Sequence, residues 1–310
     1  MDAAARRRPG HDVPVPHGTG VGLLLRGLGG QAMRRSVSRV AWHVGVLALL
    51  AVVLSPIVWG AAATFKPSEG IVGSLQLLPT EPTLANYERV FSGVVGVGVG
   101  QFFLNSAVLA VLSVVGTVAS SALAAYAFAR LRFRGRTTMF AIMIATLLLP
   151  FHVLIIPQYV VFQNLDLIDT YVPLLAGKFL ASEAFFVFLI VQFIRQLPRE
   201  LDESAKIDGA NHWSVFWHII LPLCRPALIT TAIFTFIWSW NDFFGPLIYL
   251  STPDKYPLPL ALQLFIDETS GSDYGALMAM SMLALVPVIL FFLFFQRFLV
   301  EGVSTSGLKG

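Results

Sequence analysis

Six stretches of this sequence run for about twenty residues or more with almost no charged side chains. A helix rises about 1.5 Å per residue, so roughly 20 apolar residues cross a hydrocarbon core of about 30 Å. Residues 44–64 and 101–129 carry no charge at all. Residues 137–165 contain Pro150 and Pro157, residues 172–194 carry Lys178 and Glu183, and residues 227–250 are interrupted by Asn241-Asp242. The last stretch, 274–296, ends in the apolar run from Pro287 to Phe295. Charged residues make up only 13% of the chain, against about 25% in a soluble domain. One aqueous core could not hide that much apolar surface. The expected class is an all-α integral membrane protein with six transmembrane helices. Its single cysteine, Cys224, has no partner within the chain.

Residues 1–43, with Pro9, Pro14, Pro16 and scattered Gly and Arg, read as a mobile cytoplasmic tail. Residues 44–300 read as the transmembrane domain and 301–310 as a C-terminal tail. Ala61-Ala62-Ala63 resembles a signal-peptide cleavage site, but the apolar run before it is too long and starts too late for a signal peptide.

Basic residues alternate from loop to loop. Arg6, Arg7, Arg8, Arg26, Arg34, Arg35 and Arg39 precede the first stretch, and Arg130, Arg132, Arg134 and Arg136 follow the second. Arg195, Arg199, Lys206 and Arg225 follow the fourth, and Arg297 and Lys309 follow the last. The intervening loops hold only Lys66, Arg89 and Lys255. Lys and Arg accumulate on the cytoplasmic side, which places both termini inside the cell. The same placement argues against nucleic acid, despite a pI near 9.1. Arginines that flank spans face anionic membrane lipid.

The segment from Leu197 to Pro222 reads as a helix, a turn and a second helix on the cytoplasmic side. Glu200, Asp202 and Glu203 suit the positive end of a helix dipole. Gly209 suits a left-handed helix terminus, and Asn211 suits the cap of a helix with Trp213, Phe216, Trp217 and Ile220 on one face. An amphipathic hairpin lying on lipid headgroups is the simpler reading. Ser204 and Ala205, however, are small residues beside acids, which suit the close approach of another protein.

The residues Glu203-Ser204-Ala205, Asp208-Gly209-Ala210, Phe216, Pro222 and Pro226 resemble the "EAA" loop of ABC importer permeases. That family usually has Ala where Ser204 stands, a small-for-small departure. Asn105-Ser106, the run from Ala125 to Gly135, Trp240-Asn241-Asp242-Phe243, and the ending from Gln296 to Gly310 are similar to its carbohydrate-uptake branch, in particular the maltose-type second permease. The resemblance implies a type I importer permease fold with a coupling hairpin at 198–222 that docks on a cytoplasmic ATPase. It also implies an ATPase subunit dimer carrying ATP and Mg, a second homologous permease subunit and an extracytoplasmic solute-binding protein as partners. The C-terminal tail, with Gly307 and Lys309, is implied as a further ATPase contact. The substrate implied is a sugar, with polyols or glycerol phosphates as related solutes.

No phosphate-binding loop accompanies this pattern, because Gly177-Lys178 lacks the upstream glycine spacing and a following Ser or Thr. Neither metal-ligand spacing nor a nucleophile-base arrangement is found, so no catalytic residue, metal or cofactor is expected on this chain. Polar groups at membrane depth tend to face a cavity or another helix. Asn105, Glu183, Trp240, Asn241 and Asp242 are the candidate pathway residues, with His152, Gln158 and Trp238 beside them. The alternative role for each is helix-packing glue. Lys178 lies five residues before Glu183, a poor spacing for an intrahelical pair. A stand-alone ion-coupled secondary transporter is the rival function, but it leaves the hairpin without a role.

Overall fold

The computed structural model describes residues 20–71, 73, 76–266 and 273–304. Among these the chain is helical, and the only bridge outside helices joins Val94 and Val97. The helices are α1 (Gly20–Ala63), α2 (Ala85–Phe91), α3 (Val99–Arg130), α4 (Arg136–Thr146), α5 (Phe151–Asn164), α6 (Val172–Phe179) and α7 (Ala184–Gln196). They continue with α8 (Glu200–Ile207), α9 (His212–Val215), α10 (Leu221–Leu223), α11 (Arg225–Trp240), α12 (Phe244–Tyr249), α13 (Leu258–Ala261) and α14 (Tyr274–Ser304). The chain divides into two compact units, residues 1–58 and 59–310.

In the first unit, helix begins at Gly20, inside the segment read from sequence as a tail. Arg39–Ala63 is apolar and long enough to cross a bilayer. Its side chains from Val40 to Val58 are exposed, as suits a surface solvated by lipid.

In the second unit α3 is the central post. Its 32 residues make a rod about 48 Å long, and α6, α7 and α11 pack along it. Close approach depends on small residues, as is usual where lipid supplies no hydrophobic drive between helices. Gly116 lies so near the Phe179 ring that a Cβ there would sit 2.8 Å from it. Ser239 Oγ donates to Ser113 Oγ at 3.1 Å, tying α11 to α3.

Four helical stretches have the length and hydropathy of a membrane span: Arg39–Ala63, Val99–Arg130, Val172–Gln196 and Tyr274–Gln296. A fifth arises if His212–Leu223 and Arg225–Trp240, bent by 74°, act together. The expected stretch 137–165 is not one helix. Pro150, extended at φ −62° and ψ 128°, disfavours helix in the residue before it and lacks an N–H to continue the ladder. Thus α4 ends at Thr146 and α5 starts afresh at Phe151. The stretch 172–196 is also interrupted, between α6 and α7, where Ala181 takes φ +54°.

Two buried clusters sit at opposite ends of α3. One joins Ala125, Tyr126 and Ala129 of α3 with Val187 and Ile194 of α7, and with Val215, Phe216 and Ile220 after the turn at 208–211. The other joins Val99 and Phe102 with Trp240, Leu258 and Met280. At that second end Asn105 Nδ2 donates to the carbonyls of Asp254 (2.8 Å) and Tyr256 (3.0 Å), and Ser106 Oγ accepts from Leu258 N. One continuous helix therefore positions both the 200–223 hairpin and the loops at the other end.

Candidate functional site

The hairpin is built on two local signals. Helix α8 ends in paired hydrogen bonds, Gly209 N to Lys206 O at 3.0 Å and Ala210 N to Ala205 O at 2.9 Å. This is the Schellman arrangement, which needs a left-handed residue after the cap, and Gly209 supplies it at φ +83°. Asn211 then caps the next helix, its Oδ1 accepting from Ser214 N at 2.8 Å. The chain passes from α9 into a π-helical turn at Phe216–Ile220 and through α10, which carries the half-buried Pro222.

Helix α8 has two distinct faces. Asp202 and Ala205 turn inward, and Arg130 Nε reaches Asp202 Oδ2 at 3.1 Å. Arg130 also donates through Nη2 to the Leu197 carbonyl at 2.9 Å, and Tyr126 Oη donates to the His212 carbonyl at 3.0 Å. Burying Val215, Phe216 and Ile220 contributes roughly 1.5–3 kcal/mol each relative to exposure. The other face is open: Glu200, Glu203, Ser204 and Asp208 are exposed, and Ile207 is 87% exposed. A rigidly backed helix presenting acids, a small residue and one bare isoleucine is suited to docking in a protein cleft. Sequence reasoning missed Ile207 and the Arg130–Asp202 pair. The tryptophan face is also split, because Phe216 and Ile220 enter the core while Trp213 and Trp217 stay about half exposed.

A second polar group lies at the break between α6 and α7. Lys178 Nζ and Glu183 Oε1 are 2.5 Å apart. Their spacing is poor for one helix, yet they meet because the chain leaves helical geometry between them. The Lys178 carbonyl accepts from Ser120 Oγ of α3 at 2.7 Å. Asp242 Oδ1 accepts from Gly245 N at 3.1 Å at the start of α12. Helix α12 packs against α6, and a Cβ at Gly245 would lie 2.7 Å from Asp242 Oδ2 and 3.1 Å from Leu174 Cδ2. Asn241 is exposed beside Asp242 in sequence, its amide donating to the Ile237 carbonyl at 2.7 Å. Trp238, half exposed, packs on Phe185 and Phe186 immediately after Glu183.

The side chains of Asn105 and Trp240 have other partners. Asn105 uses its amide on loop carbonyls and on Gln101, about 16 Å along α3 from the level of Gly116 and Phe179. Trp240 is buried, stacks on Phe236 and donates to the Ala284 carbonyl at 3.3 Å. Gln158 is exposed on α5. The side chain of His152, and Gly307 and Lys309, lie outside the described residues. Among the described residues no cluster of metal-ligating side chains occurs.

At the end of α3 opposite the hairpin, Asp169 ties the loop before α6 to the loop after α12. It accepts from Ser251 N (2.9 Å), Thr252 N (3.1 Å), Thr252 Oγ1 (2.6 Å) and Lys255 Nζ (2.7 Å). Burial alone would raise its pKa, but the bonds from Lys255, Thr252 and Ser251 together outweigh that and hold it well below the usual carboxylate range. Burial, aided by the Asp169 charge, pushes the Tyr171 phenol up.

The family model described as binding-protein-dependent transport system inner membrane component matches residues 116–305. The arabinooligosaccharides transport system permease protein AraQ of Halalkalibacterium halodurans is 31% identical, over 90% of this chain and 100% of that protein. The galactooligosaccharides transport system permease protein GanQ of Bacillus subtilis is 30% identical, over 89% and 98% respectively. Among solved structures, a chain of a bacterial ABC transporter involved in import of the acidic polysaccharide alginate superimposes with a TM-score of 0.73. It is 24% identical, with 86% of this chain and 97% of that chain covered, and supports the fold.

Proposed function

Because the chain belongs to the family of binding-protein-dependent transport system inner membrane components, we propose that it carries a sugar or related solute inward through a pathway gated by its 200–223 hairpin. It is a multi-pass membrane protein and the permease subunit of an ABC importer, not an enzyme by itself. An oligosaccharide is the favoured solute, since the relatives are named for arabino- and galactooligosaccharide transport.

The observation that carries this reading is the two-faced α8. Arg130, Ala205 and the core below hold one face, while Glu203, Ser204 and Ile207 stand free on the other. A pair of ATPase subunits, holding ATP and Mg, closes when ATP binds and moves this helix. Because α8 is clamped to the end of α3, and the helix after the turn runs through a 74° bend into α11, the displacement passes into the membrane helices. A ligand shifts such an equilibrium only by binding the two states unequally, and ATP on the partner provides that difference. A second homologous permease completes the pore, and an external solute-binding protein delivers the substrate.

Both termini face the cytoplasm in this reading, with α4 and α5 together making a sixth crossing. Solute passes the level of Glu183, Asn241 and Asp242, with Trp238 offering an aromatic face. Asn105 and Trp240 hold the scaffold instead.

Cysteine cross-linking in native membranes tests the docking face. Cys224 is buried, so a cysteine at Ser204 is the reactive one. The expected result is an adduct between Ser204→Cys and a cytoplasmic ATPase, absent when cysteine replaces the buried Val215. Equal labelling of both positions, or an adduct with no ATPase, contradicts the docking face.

A further inference from the structure

We propose that the cleft between the end of α3 and the starts of α4 and α8 seats the phosphate of an anionic phospholipid headgroup. A cavity of about 520 Å³ opens there, lined by Arg130, Arg132, Arg136, Arg199, Thr137 and Thr138 among others, with no acidic side chain in its wall. The Arg130 charge is answered by Asp202. Among the described residues, Arg132, Arg136 and Arg199 have no ion-pair partner; Arg136 donates only to the Leu131 carbonyl, at 3.1 Å. Arg132 and Arg199 are exposed and Arg136 is half-buried, so three guanidinium groups without an acidic partner line one open cavity and concentrate positive charge there.

The local backbone adds to this field. Helix α4 has 11 residues, begins after Gly135 at φ +79°, and has no side-chain cap. Arg136 N already donates to the Phe133 carbonyl, but the N–H groups and hydroxyls of Thr137 and Thr138 are further donors, and the positive helix end favours a phosphate. Guanidinium forks match phosphate oxygens in pairs.

A lipid, rather than a free anion, is favoured by where the cavity lies. Arg130 ends a helix of 32 apolar-rich residues, and α4 continues from Arg136 into Met139 and Ile142, which are 57% and 61% exposed. A phosphate bound among the arginines would leave its acyl chains running along those two side chains. Lys and Arg at such a boundary attract anionic leaflets. The seat shares Arg130 with the hairpin clamp and Arg199 with the start of α8, so headgroup occupancy stiffens the coupling hairpin. This inference rests on the membrane reading, but its test reads lipid retention and is independent of transport.

The experiment is native mass spectrometry of the full chain. The protein is exchanged from vesicles of phosphatidylcholine doped with phosphatidylglycerol into mild detergent. Wild type is compared with a double variant, Arg132→Gln with Arg199→Gln, and with Arg134→Gln, an exposed arginine outside the cavity wall. The expected result is preferential retention of phosphatidylglycerol by wild type and Arg134→Gln, and on the order of a tenfold loss in the double variant. A variant that elutes as aggregate is replaced by Thr138→Glu, which puts a carboxylate into the seat and should displace the lipid equally. Unchanged retention in the cavity variants, an equal loss in Arg134→Gln, or displacement of the lipid by inorganic phosphate alone would each overturn the proposal. So would a double variant that keeps its lipid but no longer copurifies with an ATPase.

Discussion

Arg130, the last residue of α3, reaches Asp202 in the first turn of α8 with Nε 3.1 Å from Oδ2, and the two side chains are only 5% and 12% exposed. Arg130 Nε and Asp202 Oδ1 are both buried without a hydrogen-bond partner, so the contact is ionic and Arg130 is the one charge that answers this carboxylate among the described residues. Removing one member of a buried pair costs about 3–5 kcal/mol, because the survivor keeps its desolvation penalty. Arg130→Gln should therefore loosen the hairpin and speed amide exchange across residues 200–223. Replacing both partners, Arg130→Met with Asp202→Leu, should recover most of the protection. Wild-type exchange rates in Arg130→Gln would show that the pair does not anchor α8.

Gly209 tests the turn without touching any neighbour. Nothing lies within 4 Å of a Cβ built there, so the effect of a side chain comes from its φ of +83° alone. Valine in that conformation costs roughly 1–2 kcal/mol, whereas asparagine visits it routinely. Gly209→Val should weaken copurification with the ATPase about tenfold, and Gly209→Asn should leave it near wild type. Equal behaviour of the two variants would point to bulk rather than backbone geometry.

The Lys178–Glu183 pair is expected to matter for passage rather than for folding. Glu183→Gln leaves the Lys178 ammonium at membrane depth without its ion-pair partner, a loss of about 1.5–3 kcal/mol for a charged hydrogen bond. Uptake should fall by at least roughly tenfold on that scale, while the protein remains extractable and monodisperse. Lys178→Met combined with Glu183→Gln should recover part of it. Full activity in Glu183→Gln would remove this pair from the pathway.

Asp169 gives a pH dependence of known sign. Its folded pKa is depressed, so its contribution to stability is fully present above the ordinary aspartate value of about 4 and is lost as pH falls toward the lowered folded value. Limited proteolysis of the 249–258 segment should distinguish wild type from Asp169→Asn strongly at neutral pH. The gap should shrink as pH falls below about 4. A gap that widens on acidification would contradict the assigned hydrogen bonds.

The all-helical class and the hairpin were legible because they rest on local chemistry. Apolar length, the Gly209 terminus and the Asn211 cap each follow from residues a few positions apart. The breaks were harder to read. Pro150 marks one, but nothing in the apolar run from Val172 to Gln196 announces that Ala181 adopts φ +54°; Ser120 of α3, bonded to the Lys178 carbonyl, and Phe179, packed on Gly116 of α3, hold that region. The split also explains why Lys178 and Glu183 pair despite their spacing. Long-range partners lay beyond sequence reading altogether. Arg130 read only as a flanking charge and Asp202 only as a first-turn acid, and 72 positions separate them. Trp240 and Asn105 are polar-tipped residues inside spans, and only the fold shows that they donate to the carbonyls of Ala284 and Asp254.

The most direct measurement is solute uptake into proteoliposomes that hold this chain with its copurified ATPase and second permease, with labelled oligosaccharide and the solute-binding protein outside and ATP sealed inside. Uptake should require luminal ATP and should fall about tenfold in Gly209→Val. Uptake by this chain alone, without ATP and driven by an ion gradient, would contradict the importer mechanism and support a secondary transporter.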